Sequence, residues 1–364
     1  MGERGGRFAA APHGRVGPLE IERLGESGSV DAEAWDRFVR SSPDGTVFHL
    51  TAWKRVVEEV FPHRPHYLAA VEGGRILGVL PLFHVRGLLS GRVLISTPCA
   101  VYGGLCGSDP RARGLLLEEA GRQRGLAGAK LVELRNLHGA EPDLPTKSLY
   151  VYFAKPIEPD PEANLAGIPR KQRRMVRQGM KNALEPRRGW EALDEFYEIY
   201  LENRRRLGSP PYSRRLFEAM RDHFGKDAEL LTIRHEGRAM SGVVTLFHGD
   251  RVMPYYGAAR PEAFPLAVND FMYWELMRQS CVDGYRVFDF GRSREGAGSY
   301  DFKRHWGFEP VPLAYQYLLS GKIAVPNVSP SNPKFRMFIA AWKRLPVPVT
   351  RWLGPPLTRW LPLD

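Results

Sequence analysis

The run Phe288-Asp289-Phe290-Gly291-Arg292-Ser293 alternates like a strand, with Phe288 and Phe290 on one face, Asp289 on the other, and a glycine at its end. Strand ends in open α/β sheets commonly bind ligands. Asp289 could there orient an attacking amine, and Arg292 could hold a phosphate or carboxylate. A buried Asp-Arg pair closing the strand end is the structural alternative. Lys303 follows in Tyr300-Asp301-Phe302-Lys303-Arg304-His305-Trp306-Gly307-Phe308. A lysine so placed can anchor a phosphate, or stabilise negative charge that develops on a carbonyl oxygen during acyl transfer. Phe302 would then line an apolar channel. Alternatively Phe302 and Trp306, at i and i+4, form a helix core face from which Lys303 snorkels outward.

Arg170, Arg174, Arg177 and Lys181 fall on one helical face, and Lys171 and Arg173 add to the charge. A phosphate-rich partner suits such a stripe, because like charges at this spacing repel and call for a compensating anion. A solvated face is the plain alternative. Tyr255 and Tyr256 follow a strand-like run, and alternation allows only one hydroxyl to reach a cleft. Asn269 is either an N-cap for the apolar-periodic helix that follows or a polar contact to a substrate.

The elements that must position these residues are written as a duplication. Gly74-Arg75-Ile76-Leu77-Gly78-Val79-Leu80-Pro81-Leu82-Phe83-His84 resembles Gly237-Arg238-Ala239-Met240-Ser241-Gly242-Val243-Val244-Thr245-Leu246-Phe247-His248, with one inserted residue. Each copy follows an apolar run and a short Glu/Gly turn, which predicts two equivalent β-hairpins. Two helical patterns precede each hairpin, near 32–40 and 51–60, and near 190–207 and 213–224. A further helix and strand follow each, at 111–126 with 130–134 and at 270–282 with 286–290. The expected architecture is α/β, two mixed sheets flanked by helices. Lys155-Pro156-Ile157-Glu158-Pro159-Asp160-Pro161 reads as the linker, giving domains of 18–155 and 156–322 after a disordered lead-in of 1–17.

At 364 residues the chain has room for two cores. Its three cysteines, Cys99, Cys106 and Cys281, match no disulfide framework or zinc spacing, so no metal is expected and a reducing cytosol fits. No h-region marks a signal peptide, and no apolar run is long enough to span a membrane. The net charge of +11 is concentrated in two segments, 155–188 and 322–364, which points to two localised polyanion contacts. In the basic, Trp- and Pro-rich tail from 323 onward, Phe335, Phe338, Ile339, Trp342 and Leu345 share a helical face, with Lys334, Arg336, Lys343 and Arg344 beside it and Trp352 and Trp360 beyond. Such a helix either lies on an anionic membrane, at the inner face of the cytoplasmic membrane, or docks on the second domain.

Pro169-Arg170-Lys171-Gln172-Arg173-Arg174-Met175-Val176-Arg177, Asn269 to Arg278, Phe288 to Ser293 and Tyr300 to Phe308 together resemble the FemAB-like transferases, especially members found with exosortase/PEP-CTERM exopolysaccharide systems. The first half agrees more loosely, through Phe48-His49, His63-Arg64-Pro65-His66-Tyr67 and Tyr102-Gly103-Gly104. The resemblance implies two tandem acetyltransferase (GNAT)-like domains that meet in a cleft. It also implies transfer of an aminoacyl or acyl group to an amine or hydroxyl of a nucleotide- or lipid-linked saccharide, an envelope, peptidoglycan or exopolysaccharide precursor. Phe302-Lys303 falls where the family's Phe-Lys pair contributes to the acceptor site, and no cofactor is implied. The donor is an aminoacyl-tRNA in better-known relatives, which often carry a long helical hairpin for which this chain has no room. An acyl-CoA-dependent N-acyltransferase is the rival reading. Its glycine-rich pyrophosphate loop is absent from Gly257 to Val268. A non-catalytic scaffold in polysaccharide assembly is the third.

Overall fold

In the computed structural model, residues 17–26, 28–87, 91–321, 325 and 333–360 are described. The expected lead-in lies outside them except for Gly17. The first half runs β1 (Leu19–Arg23), α1 (Ala32–Ser41), α2 (Thr51–Val60), β2 (Arg64–Pro65), β3 (Leu68–Glu72), β4 (Arg75–Leu80), β5 (Phe83–Gly87), β6 (Gly91–Ile95), α3 (Pro110–Leu126), β7 (Leu131–Asn136), β8 (Thr146–Lys147) and β9 (Tyr150–Pro156). The second runs α4 (Pro161–Gly167), α5 (Arg170–Lys181), β10 (Glu185–Arg188), α6 (Leu193–Leu207), α7 (Arg214–Phe224), β11 (Ala228–His235), β12 (Arg238–His248), β13 (Arg251–Ala259), α8 (Val268–Val282), β14 (Val287–Arg294), α9 (Gly298–His305), β15 (Val311–Pro312) and β16 (Ala314–Leu319). Two tail helices, α10 (Pro333–Arg344) and α11 (Val347–Trp360), close the chain.

The duplicated hairpins are β3–β4 and β11–β12, and they agree in detail. Gly73-Gly74 and Glu236-Gly237 form the two-residue turns, all four at positive φ as tight hairpins of this length require. Each second strand then carries one extra residue, Leu77 in one copy and Met240 in the other, at corresponding places. The copies diverge at Pro81, whose ring has no N–H for a ladder. There the first copy breaks into β4 and β5 in separate sheets, whereas β12 continues through the corresponding positions.

A seven-stranded sheet has the order β10-β11-β12-β13-β14-β9-β15, and a six-stranded sheet the order β2-β5-β6-β7-β16-β8. Each contains one parallel pair, β13–β14 and β6–β7, bridged by α8 and α3. The next strand comes from the other half in both cases. β9 pairs with β14, and β16 pairs with β7. The boundary expected at 155/156 therefore does not separate the two sheets. β9 runs into the proline-rich segment as far as Pro156, its Lys155 and Pro156 opposite Phe288 and Val287 of the second sheet, so the segment is a strand end before it becomes a connection.

Helix α5 crosses the start of α8 at Gly179. A Cβ there would lie 2.7 Å from Phe271 Cβ and 3.3 Å from the Ala267 carbonyl oxygen. The tail docks on α6. Trp342 is buried, Arg205 Nε donates to the Leu345 carbonyl and Arg351 pairs with Glu198. The apolar face drawn for a membrane is thus partly turned inward, since Trp342 finds an apolar partner on the protein itself. The side chains of Lys334, Phe335 and Trp360 lie outside the described residues.

Gly179→Ala is expected to lower stability by roughly 1–2 kcal/mol, because overpacking against Phe271 and the Ala267 backbone outweighs the helix-propensity gain. Denaturant unfolding checks this; an unchanged or higher midpoint would show that α5 and α8 separate freely.

Candidate functional site

The strand expected to end at Gly291 runs on to Arg294 in pairing with β9; midway along it β14 bulges at Phe290, and Gly291 adopts φ +64, a left-handed conformation that favours glycine. This turn places three groups. The Gly291 N–H donates to Asp289 Oδ1 at 2.8 Å. The carbonyls of Gly291 and Arg292 point toward α9, where Lys303 Nζ donates to them at 3.3 and 2.9 Å. Arg292 itself swings away, its guanidinium 4.2 Å from the Tyr150 ring centre and its Nη1 donating to Tyr315 Oη at 2.7 Å.

Asp289 is fully buried. Its carboxylate accepts from Tyr102 Oη, a residue of the first half, and lies 3.4 Å from Arg251 Nη1. The expected Asp289–Arg292 pair is therefore not formed; Arg251 takes that place, because the bulge sends Arg292 toward β9 and β16 instead. Burial pushes the Asp289 carboxyl up, against the opposing hydrogen bond from Tyr102 and the charge of Arg251. Burial keeps the Tyr102 hydroxyl protonated, so it remains the donor.

Lys303 is the one buried residue of α9, and it points inward, not outward as the snorkelling alternative had it. Burial lowers its pKa to about 7; Asp289 opposes this and Arg292 reinforces it. Nζ also lies 5.5 Å from the Phe153 ring centre. Phe302 is half-buried against Tyr273, Phe290 and Trp306.

The two tyrosines depart from the alternation rule. A bulge in β13 between Pro254 and Tyr256 puts both rings on one side, their centres 4.6 Å apart. Tyr255 Oη donates to the Cys99 carbonyl at 2.9 Å, across the two halves. Tyr256 is caged by Tyr200, Tyr212 and Phe217, its hydroxyl buried without a partner, and it shares no contact with Lys303. Asn269 is not the cap of α8. Ala267 holds that position at φ +57, and half-buried Asn269 sits inside the first turn.

On α5, Arg170, Lys171, Arg174, Arg177 and Lys181 are exposed, and no ion pair among the described residues involves them. Arg173 is half-buried and donates to the Ala166 carbonyl at 2.8 Å. The stripe begins beside α9, since Gly307 abuts Pro169. Sequence reasoning assigned no role to Tyr102, Arg251, Tyr315 or Tyr150. The pair Gly103-Gly104 after Tyr102 was a usable signal; nothing marked Arg251. A concavity of about 650 Å³ between α1, α2 and α7 contains none of these residues, and its Arg37 and Arg40 are paired with Glu33 and Asp227.

A family model described as an acetyltransferase (GNAT) domain matches residues 168–304. The crystal structure of FemX superposes with a TM-score of 0.65 at 17% identity, over 79% of this chain and 96% of that one. A tandem GNAT protein from the clavulanic acid biosynthesis pathway gives 0.52 at 13%, over 84% and 100%. The fold is a tandem GNAT fold. The C-terminal domain (DUF2156) of a putative lysylphosphatidylglycerol synthetase from Agrobacterium fabrum shares it, with a TM-score of 0.54 at 14% identity over 80% and 92%. No curated protein matches the sequence. Within this GNAT arrangement the Lys303 turn lies where the second sheet receives β9 from the first half.

Lys303 titrates near 7 in the folded chain and at its ordinary 10.5 when unfolded. Between those values the unfolded state holds more protons, so the cost of burying this group is full below pH 7 and is relieved as pH rises toward 10.5. The stability difference between Lys303→Met and the parent chain should shrink across that window in denaturant titrations. A difference independent of pH would contradict the buried ammonium.

Proposed function

We propose that this chain is a FemAB-like acyltransferase, moving an aminoacyl or acyl group to an amine or hydroxyl of an envelope, peptidoglycan or exopolysaccharide precursor, in the branch associated with exosortase/PEP-CTERM systems. One observation carries the reading: a lysine ammonium buried beside a bulge in β14, held by two backbone carbonyls and facing the Phe153 ring. When an amine or hydroxyl attacks an acyl ester, negative charge gathers on the carbonyl oxygen, and a pre-placed cation in a water-poor site stabilises it strongly. The acyl carbon bonds to the nucleophile as its ester C–O bond breaks, and the nucleophile's proton passes to the departing donor oxygen. Arg292, braced by Tyr150 and Tyr315, is suited to a phosphate of the saccharide-linked acceptor.

Aminoacyl-tRNA is the donor we favour over acyl-CoA. A CoA pyrophosphate would need the backbone N–H groups opening α8. That turn already faces the Asp270 carboxylate, which accepts from Gln172 and, at 3.1 Å, from Trp306 Nε1, and α5 crosses it at Gly179. The unpaired cations of α5 supply a phosphate-binding face beside α9 instead. Lys303→Ala should lower transfer at least 100-fold with folding intact, and Lys303→Arg should recover part of it. Incubating the protein separately with charged tRNA and with acyl-CoA pools, with mass-spectrometric detection, identifies which one loses its acyl group. Full activity of Lys303→Ala would remove the assignment.

The protein works at an anionic membrane surface, on this reading, through the outer side of the tail helices. Trp352 and Met337 are exposed there, among Arg336, Lys343, Arg344 and Arg359. No helix among the described residues is long and apolar enough to cross a membrane. Trp352→Ser with Met337→Ser should weaken sedimentation with phosphatidylglycerol vesicles severalfold while unfolding behaviour stays unchanged. Equal sedimentation would exclude this contact.

A further inference from the structure

The β5–β6 hairpin breaks a rule of strand pairing. Arg86 and Arg92 stand directly opposite each other, where backbones are about 4.5–5.5 Å apart and like charges destabilise. His84, two residues before Arg86, shares its face, and Arg64 of β2 stands opposite His84 on the other side. Three arginines and a histidine thus converge on one face of three neighbouring strands. Arg64, Arg86 and Arg92 are exposed, and none has an ion-pair partner among the described residues. The groups acting on the His84 ring are Arg86, His66, Arg92 and Arg64, all basic; Glu26 acts on His66, as does Arg23.

His84 supplies an independent observation. Its side chain is 8% exposed, and its Nε2 is buried with no hydrogen-bond partner. Burial first, and then the surrounding cations, push its pKa down. An apolar residue would fill this position without leaving a polar atom unanswered. The arrangement is poorly satisfied alone and well satisfied by an anion.

We propose that this face of the first sheet is a binding site for a phosphate-bearing ligand of one or two phosphate groups, with Arg64, Arg86 and Arg92 as donors and His84 at its floor. Guanidinium forks match phosphate oxygens, and the four backbone positions span about 10 by 7 Å, across which the long arginine side chains can converge on one or two phosphates. A bound dianion offsets the Arg86–Arg92 repulsion and reverses the electrostatic push on His84. The site is separate from the Lys303 turn. It occupies the β2–β5–β6 end of the six-stranded sheet, whereas that sheet meets the second half through β7 and β16.

The test is a titration of the full chain with inorganic pyrophosphate, following the imidazole C–H resonance of His84, assigned by its loss in His84→Gln. This local signal matters because the α5 cations also attract pyrophosphate. A saturable shift is expected, with the His84 pKa rising on binding. The Arg86→Gln/Arg92→Gln variant, altered only at exposed side chains, should unfold at or slightly above the parent midpoint without ligand and bind at least tenfold more weakly. A second arm uses phosphatidylglycerol vesicles. If His84 ignores pyrophosphate but vesicle sedimentation depends on Arg86 and Arg92, the phosphate belongs to a lipid headgroup and the site stands. An unmoved His84 with vesicle binding unaffected by the double variant overturns the proposal, as does an equal pyrophosphate response in parent and variant.

Discussion

Asp289 is a charge buried between the two halves with no exposure to water, and much of the site depends on how that charge is answered. Tyr102 reaches it from the first half, Arg251 from the neighbouring parallel strand, and the Gly291 N–H from its own turn. Stripping a partner from a buried ion pair costs about 3–5 kcal/mol, far more than a surface pair gains. The constraint therefore fixes three things together: where the Tyr102 loop sits, how β13 and β14 are aligned, and which way the Gly291 carbonyl points. Lys303 takes its place from the last of these. Its position is thus set partly by a residue some two hundred positions earlier in the chain.

The interface around this charge is stitched by hydroxyls. Tyr255 donates to the Cys99 carbonyl, and Tyr315 donates to the Val101 carbonyl while accepting from Arg292. Arg135, itself buried, donates to the Ala100 carbonyl and lies 5.5 Å from the Tyr315 ring centre. One loop of the first half, 97–102, thus has its backbone carbonyls answered from several directions. A loop so held can present half-buried Cys99 and Val101 to the second half, Val101 beside Gly291, without moving.

The hairpins, the helix order and the basic face of α5 were legible because each rests on local periodicity and turn chemistry. What was not legible depended on partners distant in sequence. β9 and β16 were not read as strands at all, and nothing local in their sequence says which sheet receives them. The alternative that turned Lys303 outward rested on the helical spacing of Phe302 and Trp306, but α9 is only eight residues long and the carbonyls of Gly291 and Arg292 draw Lys303 inward. The rule that separated Tyr255 from Tyr256 failed at a bulge, which single-sequence periodicity does not reveal.

The exchange of β9 and β16 also has a consequence in time. As the chain leaves the ribosome, β7 is made with one edge open, and the strand that covers it, 314–319, follows nearly two hundred residues later. The first half cannot finish its sheet until almost the entire second half has been synthesised, so vectorial folding of the two repeats one after the other is blocked by topology. Such late, long-range pairing is slow to form and leaves an exposed edge meanwhile.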